Sequence, residues 1–288
     1  MRPKQLEARR RRLLADRPRT GLWLRRRAIR ALAKDASPEA AQILAEHVSI
    51  CTDEALGRLS LEALRKFSLE PSIDRICAVW ASGRNSVLAE LLAERAWIAS
   101  SPARIRLLTA LHARQPGPIL AGGAGVIDPL VEACSDADSK IAETARECLG
   151  RLLHPAAIDA LCVRWVEKRE RWISEALDRT GYVAQRPTAA RVLTALRADK
   201  AEAVTRSGPE VIEPLIAASR DPEPKISERA LAALRHLTDV QAQEALCRLV
   251  IDRDDPVARN AAVAARYVPR DPRQRAVFYF LTEQWQAY

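Results

Sequence analysis

His47 and Cys51 stand four residues apart, a spacing that puts two metal-binding side chains on one helix face. No second His or Cys pair accompanies them, so the spacing reads as packing and no metal site is expected. His112, His154 and His236 share no spacing that would build an acid–base pair. His154 and His236 fall near expected helix C-termini, where an imidazolium suits the helix dipole. Gly122-Gly123-Ala124-Gly125 is the one glycine cluster, and it lies between two predicted helices instead of following a strand, which reads as a loop and not a phosphate cradle. Dinucleotide, Walker, HExxH and GxSxG patterns are absent. Cys51, Cys77, Cys134, Cys148, Cys162 and Cys247 form no CxxC pair and read as small buried thiols. The residues point to a protein that is not an enzyme and carries no cofactor.

What chemistry the sequence does offer is positive charge beside aromatic rings. Residues 1–34 hold 13 of the 46 Lys and Arg against two of the 37 Asp and Glu, a net of +11; the other residues hold 33 and 35, a net of −2. The whole basic excess of +9 therefore lies in an N-terminal arm. It contains Arg9, Arg10, Arg11 and Arg12, then Arg17 and Arg19, and after Gly21 a helical stretch with Arg25, Arg26, Arg27 and Arg30 around Leu22, Trp23, Ile29, Leu32 and Ala33. The stretch 1–20 is expected to resist compaction, because like charges so dense repel one another. The stretch 22–34 is expected to cap the array behind it, dock on phosphates or an acidic protein, or lie on a membrane surface.

A second candidate is the turn Glu167-Lys168-Arg169-Glu170-Arg171 with Trp172 beside it. Its counterpart later in the chain is the acidic, proline-fixed Asp252-Arg253-Asp254-Asp255-Pro256. Arg84 and Arg164 add charge at similar places. Lys168, Arg169, Arg171 and Trp172 are expected to anchor an acidic or phosphate-bearing partner, because Trp and Arg are enriched at interface hot spots. A third candidate is the aromatic end, Phe278, Tyr279, Phe280, Leu281, Trp285 and Tyr288, of which Phe278, Phe280 and Trp285 are expected to meet a partner.

These residues must be positioned by helices. Ala, Leu and Arg dominate, aromatic residues make up 5%, and apolar residues recur at i, i+3, i+4 and i+7, as in Ile141, Ala145, Cys148, Leu149 and Leu152. Helices are predicted from Ser37-Pro38 to about His47, and over 53–67, 72–80 and 86–96. Pro102 and Pro272 are placed in first helical turns. A single internal offset of 85 organises all of this. By it Leu108-Thr-Ala-Leu111 returns as Leu193-Thr-Ala-Leu196, and Val126-Ile-Asp-Pro-Leu130 as Val211-Ile-Glu-Pro-Leu215. Asp136, Lys140, Ile141 and Glu143 likewise return as Asp221, Lys225, Ile226 and Glu228. Cys77, Cys162 and Cys247 keep the same step, as do Pro102, Pro187 and Pro272. Each step contains three predicted helical pairs.

The hairpin Pro209 to Leu237, with Pro214 in its first helix and Asp221-Pro222 in its turn, resembles the HEAT repeat of the short bacterial kind. Pro129 with Asp136 carries the same pattern. The resemblance covers about residues 37–288. It departs at Ala142 and Ser227, which stand where such repeats place an Arg, so an Arg–Asp ladder is expected to be incomplete. It implies an all-α fold, an α-solenoid of HEAT-like helical hairpins with an 85-residue super-repeat, over residues 35–288 behind the arm at 1–34. No apolar run reaches the roughly 18 residues that cross a bilayer and no apolar h-region follows the charged N-terminus, so a cytoplasmic protein without a transmembrane segment is expected. The repeat, the missing catalytic motifs and the aromatic end point to a non-enzymatic scaffold binding a protein partner. The module pattern resembles proteins in which such arrays precede a WD40 propeller, of which no blade is present, so this chain reads as a front section or as ending in a docking face. The alternatives are nucleic-acid association through residues 1–34, or a HEAT-like DNA glycosylase using Trp80, Trp165 or Trp172 with Asp159 or Glu170.

Overall fold

The computed structural model describes residues 3–14 and 21–284. Among them all regular structure is helical, nineteen α-helices and two 3-10 turns without a strand. Helix starts follow from short polar residues. Ser37, Asp53, Asn85, Asp239, Asp255 and Asp271 each stand just before a helix and accept a hydrogen bond from an N–H of its first turn. Those N–H groups have no intrahelical partner, so each cap satisfies a donor that would otherwise be stranded. Pro38, Pro256 and Pro272 then occupy the first helical position, where the missing N–H costs nothing. Pro102 differs from expectation: it and Pro187 stand one residue before their helices, each after a cis peptide bond. His154 also differs. It starts the helix Pro155–Lys168 instead of ending one, and its Nδ1 accepts from the Ala156 N–H at 3.2 Å.

Helix ends show a pattern invisible in residue type. Arg84, Arg169 and Asp254, which stand 85 residues apart in turn, end their helices with φ of 50°, 49° and 49°. Ala96, Gly181 and Arg266 do the same at 49°, 62° and 58°, and Arg114 and Asp199 at 52° and 59°. Left-handed residues close helices by letting the next N–H reach back to an orphan carbonyl. Only one of these eight positions holds the glycine that the conformation favours.

The chain forms two compact units, Met1–Gly122 with Asp128–Cys148, and Gly123–Ile127 with Leu149–Tyr288. The boundary falls within the stretch expected to be one array. In the first unit, Leu22–Asp35, Glu54–Leu64 and Glu70–Gly83 all pack on Pro38–Ile50, and Glu70–Gly83 packs in turn on Ala103–His112. The basic arm is thus partly structured: Pro3–Leu14 is helical and packs on Leu22–Asp35 and Pro38–Ile50. In the second unit, Pro155–Lys168 packs on Thr188–Arg197, that on Ile212–Ala218, that on Val240–Arg253, and that on Pro272–Leu281. These helices cover one another's apolar stripes, because no single amphipathic helix can bury its own face.

Candidate interaction surfaces

The basic turn is used largely inside its own unit. Arg169 ends the helix Pro155–Lys168, and its guanidinium lies 4.1 Å from the centre of the Trp165 ring while donating to the Asp221 carboxylate. The Asp221 side chain is only 6% exposed, so this cation neutralises a buried carboxylate. Arg164 is similarly engaged, donating to Glu170 at 2.9 Å. Of the four residues expected to anchor a partner, Arg169 is thus the one engaged by a buried acid and a ring face, with its side chain 34% exposed. Lys168 and Arg171 remain exposed and Trp172 is half-buried, with the Arg171 guanidinium 5.0 Å from its ring and 2.7 Å from Glu175.

The first unit repeats this arrangement. Arg84 lies 4.9 Å from the Trp80 ring and donates to Asp136 at 2.6 Å. His112 adds a second ring 4.8 Å from Trp80, and Arg197 stands 5.0 Å from Trp165, held by Asp178 at 2.8 Å and Glu223 at 2.9 Å. An Arg–Asp link does exist, but its cation comes from the end of a helix 52 residues upstream and not from the positions of Ala142 and Ser227. Sequence reasoning missed it, although Arg84 with Asp136 and Arg169 with Asp221 share one spacing.

The N-terminal candidates divide. Arg10 pairs with Glu46 at 3.1 Å and Arg11 with Glu7 at 3.2 Å; Arg12 is exposed; Arg9 and Arg25 are half-buried. Arg26, Arg27 and Arg30 are exposed, and Arg26 and Arg30 line an open cleft of about 400 Å³ with Arg58, Glu54 and Glu62. The apolar face expected for this helix is split: Ile29 and Leu32 are fully buried, whereas Leu22 and Trp23 are 56% and 65% exposed. The two lie in the first turn, ahead of the buried residues Ala28, Ile29 and Leu32.

At the aromatic end Phe278 is fully buried, so it belongs to the core and not to a contact surface, while Phe280 is 59% exposed. Trp285, with Arg17 and Arg19, lies outside the described residues.

The glycosylase candidates are occupied structurally. Trp80 and Trp165 are buried, Glu170 is bound by Arg164, and the Asp159 carboxylate accepts the Gln185 N–H at 2.6 Å. All six cysteines are free thiols. Burial, with the charges of Asp74, Asp159 and Glu244 adding to it, pushes Cys77, Cys162 and Cys247 each up to about 12. His47 is buried with Nδ1 3.0 Å from Ser60 Oγ; burial lowers its pKa below the ordinary 6.5, and the Arg25 charge adds to this against the opposing pull of Asp53. Among the described residues no group of three His, Cys, Asp or Glu could hold a metal ion, and no helix is long and apolar enough to cross a membrane. No protein-family model matches the chain, and no curated protein matches it.

Proposed function

We propose that the chain is a HEAT-like α-solenoid, stepped by an 85-residue module, that serves as a non-enzymatic cytoplasmic scaffold and holds a protein partner on its surface. The observation that carries this reading is that whole tertiary contacts, and not only residues, return at one step. Asp74 accepts the Ser100 N–H, Asp159 that of Gln185, and Glu244 that of Arg270. Thr109 Oγ1 accepts the Ala99 N–H and Thr194 Oγ1 that of Ala184, both at 3.1 Å. The Tyr182 hydroxyl donates to Leu152 O, and the Tyr267 hydroxyl to Leu237 O. Arg84–Asp136 and Arg169–Asp221 follow the same step. Where Trp80 and Trp165 become Val250, Arg84 and Arg169 become Asp254, and His112 and Arg197 become Thr282. The cations vanish together with the ring they stack on.

Units that bury their faces only against neighbours leave an extended surface, and such surfaces bind partners. Lys168, Arg171 and Trp172 give this one a basic, aromatic edge suited to an acidic protein segment. The test is co-purification from source cells with wild type and with a K168E/R171E/W172A variant of unchanged helicity. A partner held by wild type and lost from the variant supports the reading. Retention by both overturns the assigned surface, and catalytic turnover by the purified chain alone overturns the non-enzymatic assignment.

A further inference from the structure

We infer that the first turns of helix Leu22–Asp35 dock this protein on the surface of an anionic phospholipid bilayer. Leu22, Trp23 and Leu24 stand in water at 56%, 65% and 37% exposure, although the same helix buries Ala28, Ile29 and Leu32. Trp23, Arg26, Arg27 and Arg30 follow one another at steps that place them on one helix stripe. All four are exposed, and the Arg27 guanidinium lies 5.3 Å from the Trp23 ring. Arg58 extends the positive charge across the cleft beside Arg26 and Arg30. Two carboxylates oppose it there: Glu62, and Glu54, which Arg58 engages.

The side-chain chemistry selects the occupant. A base can stack on Trp23, but Leu22 and Leu24 offer it no ring. Both leucines gain by leaving water for acyl chains. A tryptophan flanked by aliphatic residues and arginines has the composition that settles at headgroup level, with the guanidinium groups on lipid phosphates. The positive stripe complements anionic headgroups over zwitterionic ones. A helix tip of this size gives reversible surface attachment, which would bring the scaffold to a membrane face without spanning it. These residues belong to one unit and the turn around Trp172 to the other, with none in common, so either assignment can fail alone.

The test is co-sedimentation of the full chain with vesicles of phosphatidylcholine alone or phosphatidylcholine containing phosphatidylserine, with duplex DNA assayed in parallel. Binding is expected only to the phosphatidylserine vesicles, weakening at higher salt. Each of R26Q, R27Q and R30Q is expected to weaken it about fivefold. L22S and W23S should weaken it further at unchanged helicity, since all five side chains are exposed. Absence of phosphatidylserine-dependent binding overturns the proposal, as do L22S and W23S variants that sediment like wild type. Binding of DNA without vesicles, lost in the same arginine variants, would also overturn it and assign the stripe to nucleic acid.

Discussion

Arg84 donates to the Asp136 carboxylate at 2.6 Å across 52 residues of chain, and Arg169 reaches Asp221 across the same 52. Each arginine also lies over a buried tryptophan four residues back in its own helix, so the ring, the cation and the acid form one connection between distant segments. A cation–π contact and a partly buried ion pair act on a single side chain.

The two links should differ in strength. Asp221 is 6% exposed against 13% for Asp136, and Arg169 sits closer to its ring. Removing a cation from a more deeply buried carboxylate leaves more uncompensated charge. Arg169→Ala is expected to cost about 2–3 kcal/mol and Arg84→Ala about 1–2 kcal/mol, read as shifts in urea midpoint at constant m-value. Equal costs would show that burial of the acid does not set the strength.

The same left-handed backbone conformation should respond with opposite sign at Asp254. Asp254 holds the left-handed φ of Arg84 and Arg169, but its partner is only Arg259, a local and half-exposed pair. Asp254→Gly relieves the left-handed conformation and loses a surface ion pair, for a net change between zero and about 1 kcal/mol stabilising. Arg169→Gly relieves the same conformation but takes the cation from Asp221, leaving it the Glu223 N–H, and should destabilise. Thermal melts of the two variants compare them directly.

Thiol reactivity should separate one cysteine from the rest. Cys77, Cys162 and Cys247 are buried and held near 12, so at pH 8 they carry almost no thiolate. Cys51 is half-exposed. Brief alkylation of the native protein followed by peptide mass mapping should modify Cys51 first. The five buried thiols, Cys134 and Cys148 included, should react only on unfolding.

His47 should make stability depend on pH above the carboxylate range. Its folded pKa lies below 6.5, so the unfolded chain binds the proton more readily. Stability from the neutral ring is complete above about 6.5 and is lost as pH falls from there through the lower folded value. Urea midpoints should drop between pH 7.5 and 5.5 in wild type. The drop should be smaller in His47→Gln, which keeps an acceptor for Ser60.

Much of the helical layout was legible in residue patterns, and the reasons are local. Ser37-Pro38 and Asp271-Pro272 announce helix starts because capping and a missing N–H act within one turn. The left-handed ends were not legible, since Arg84, Ala96 and Arg169 are held there by surroundings and not by intrinsic preference. Tertiary compensation was hidden as well. Arg65 pairs with Glu94 at 2.8 Å, whereas Gly150 and Arg179 stand in their places one step on. There the Arg179 guanidinium occupies the space a Gly150 side chain would fill. In the candidate surfaces, charge was visible in the sequence but its engagement was not. Arg169 and Lys168 are neighbours in the chain, yet only Arg169 has a buried acid in reach. Phe278 and Phe280 likewise look alike in sequence and differ only by the helix face they occupy.

The proposed 85-residue module can be tested by removing one. Deleting residues 103–187 joins Pro102 to Thr188, the same junction that Pro187 makes natively, and gives Arg84 the spacing to Asp221 that Arg169 has now. The shortened chain is predicted to remain helical by circular dichroism and to unfold cooperatively in urea, whereas deletion of residues 103–145, which is out of step, is predicted to fail. A non-cooperative or aggregated product from the in-step deletion, or equal behaviour of the two deletions, would contradict the modular account.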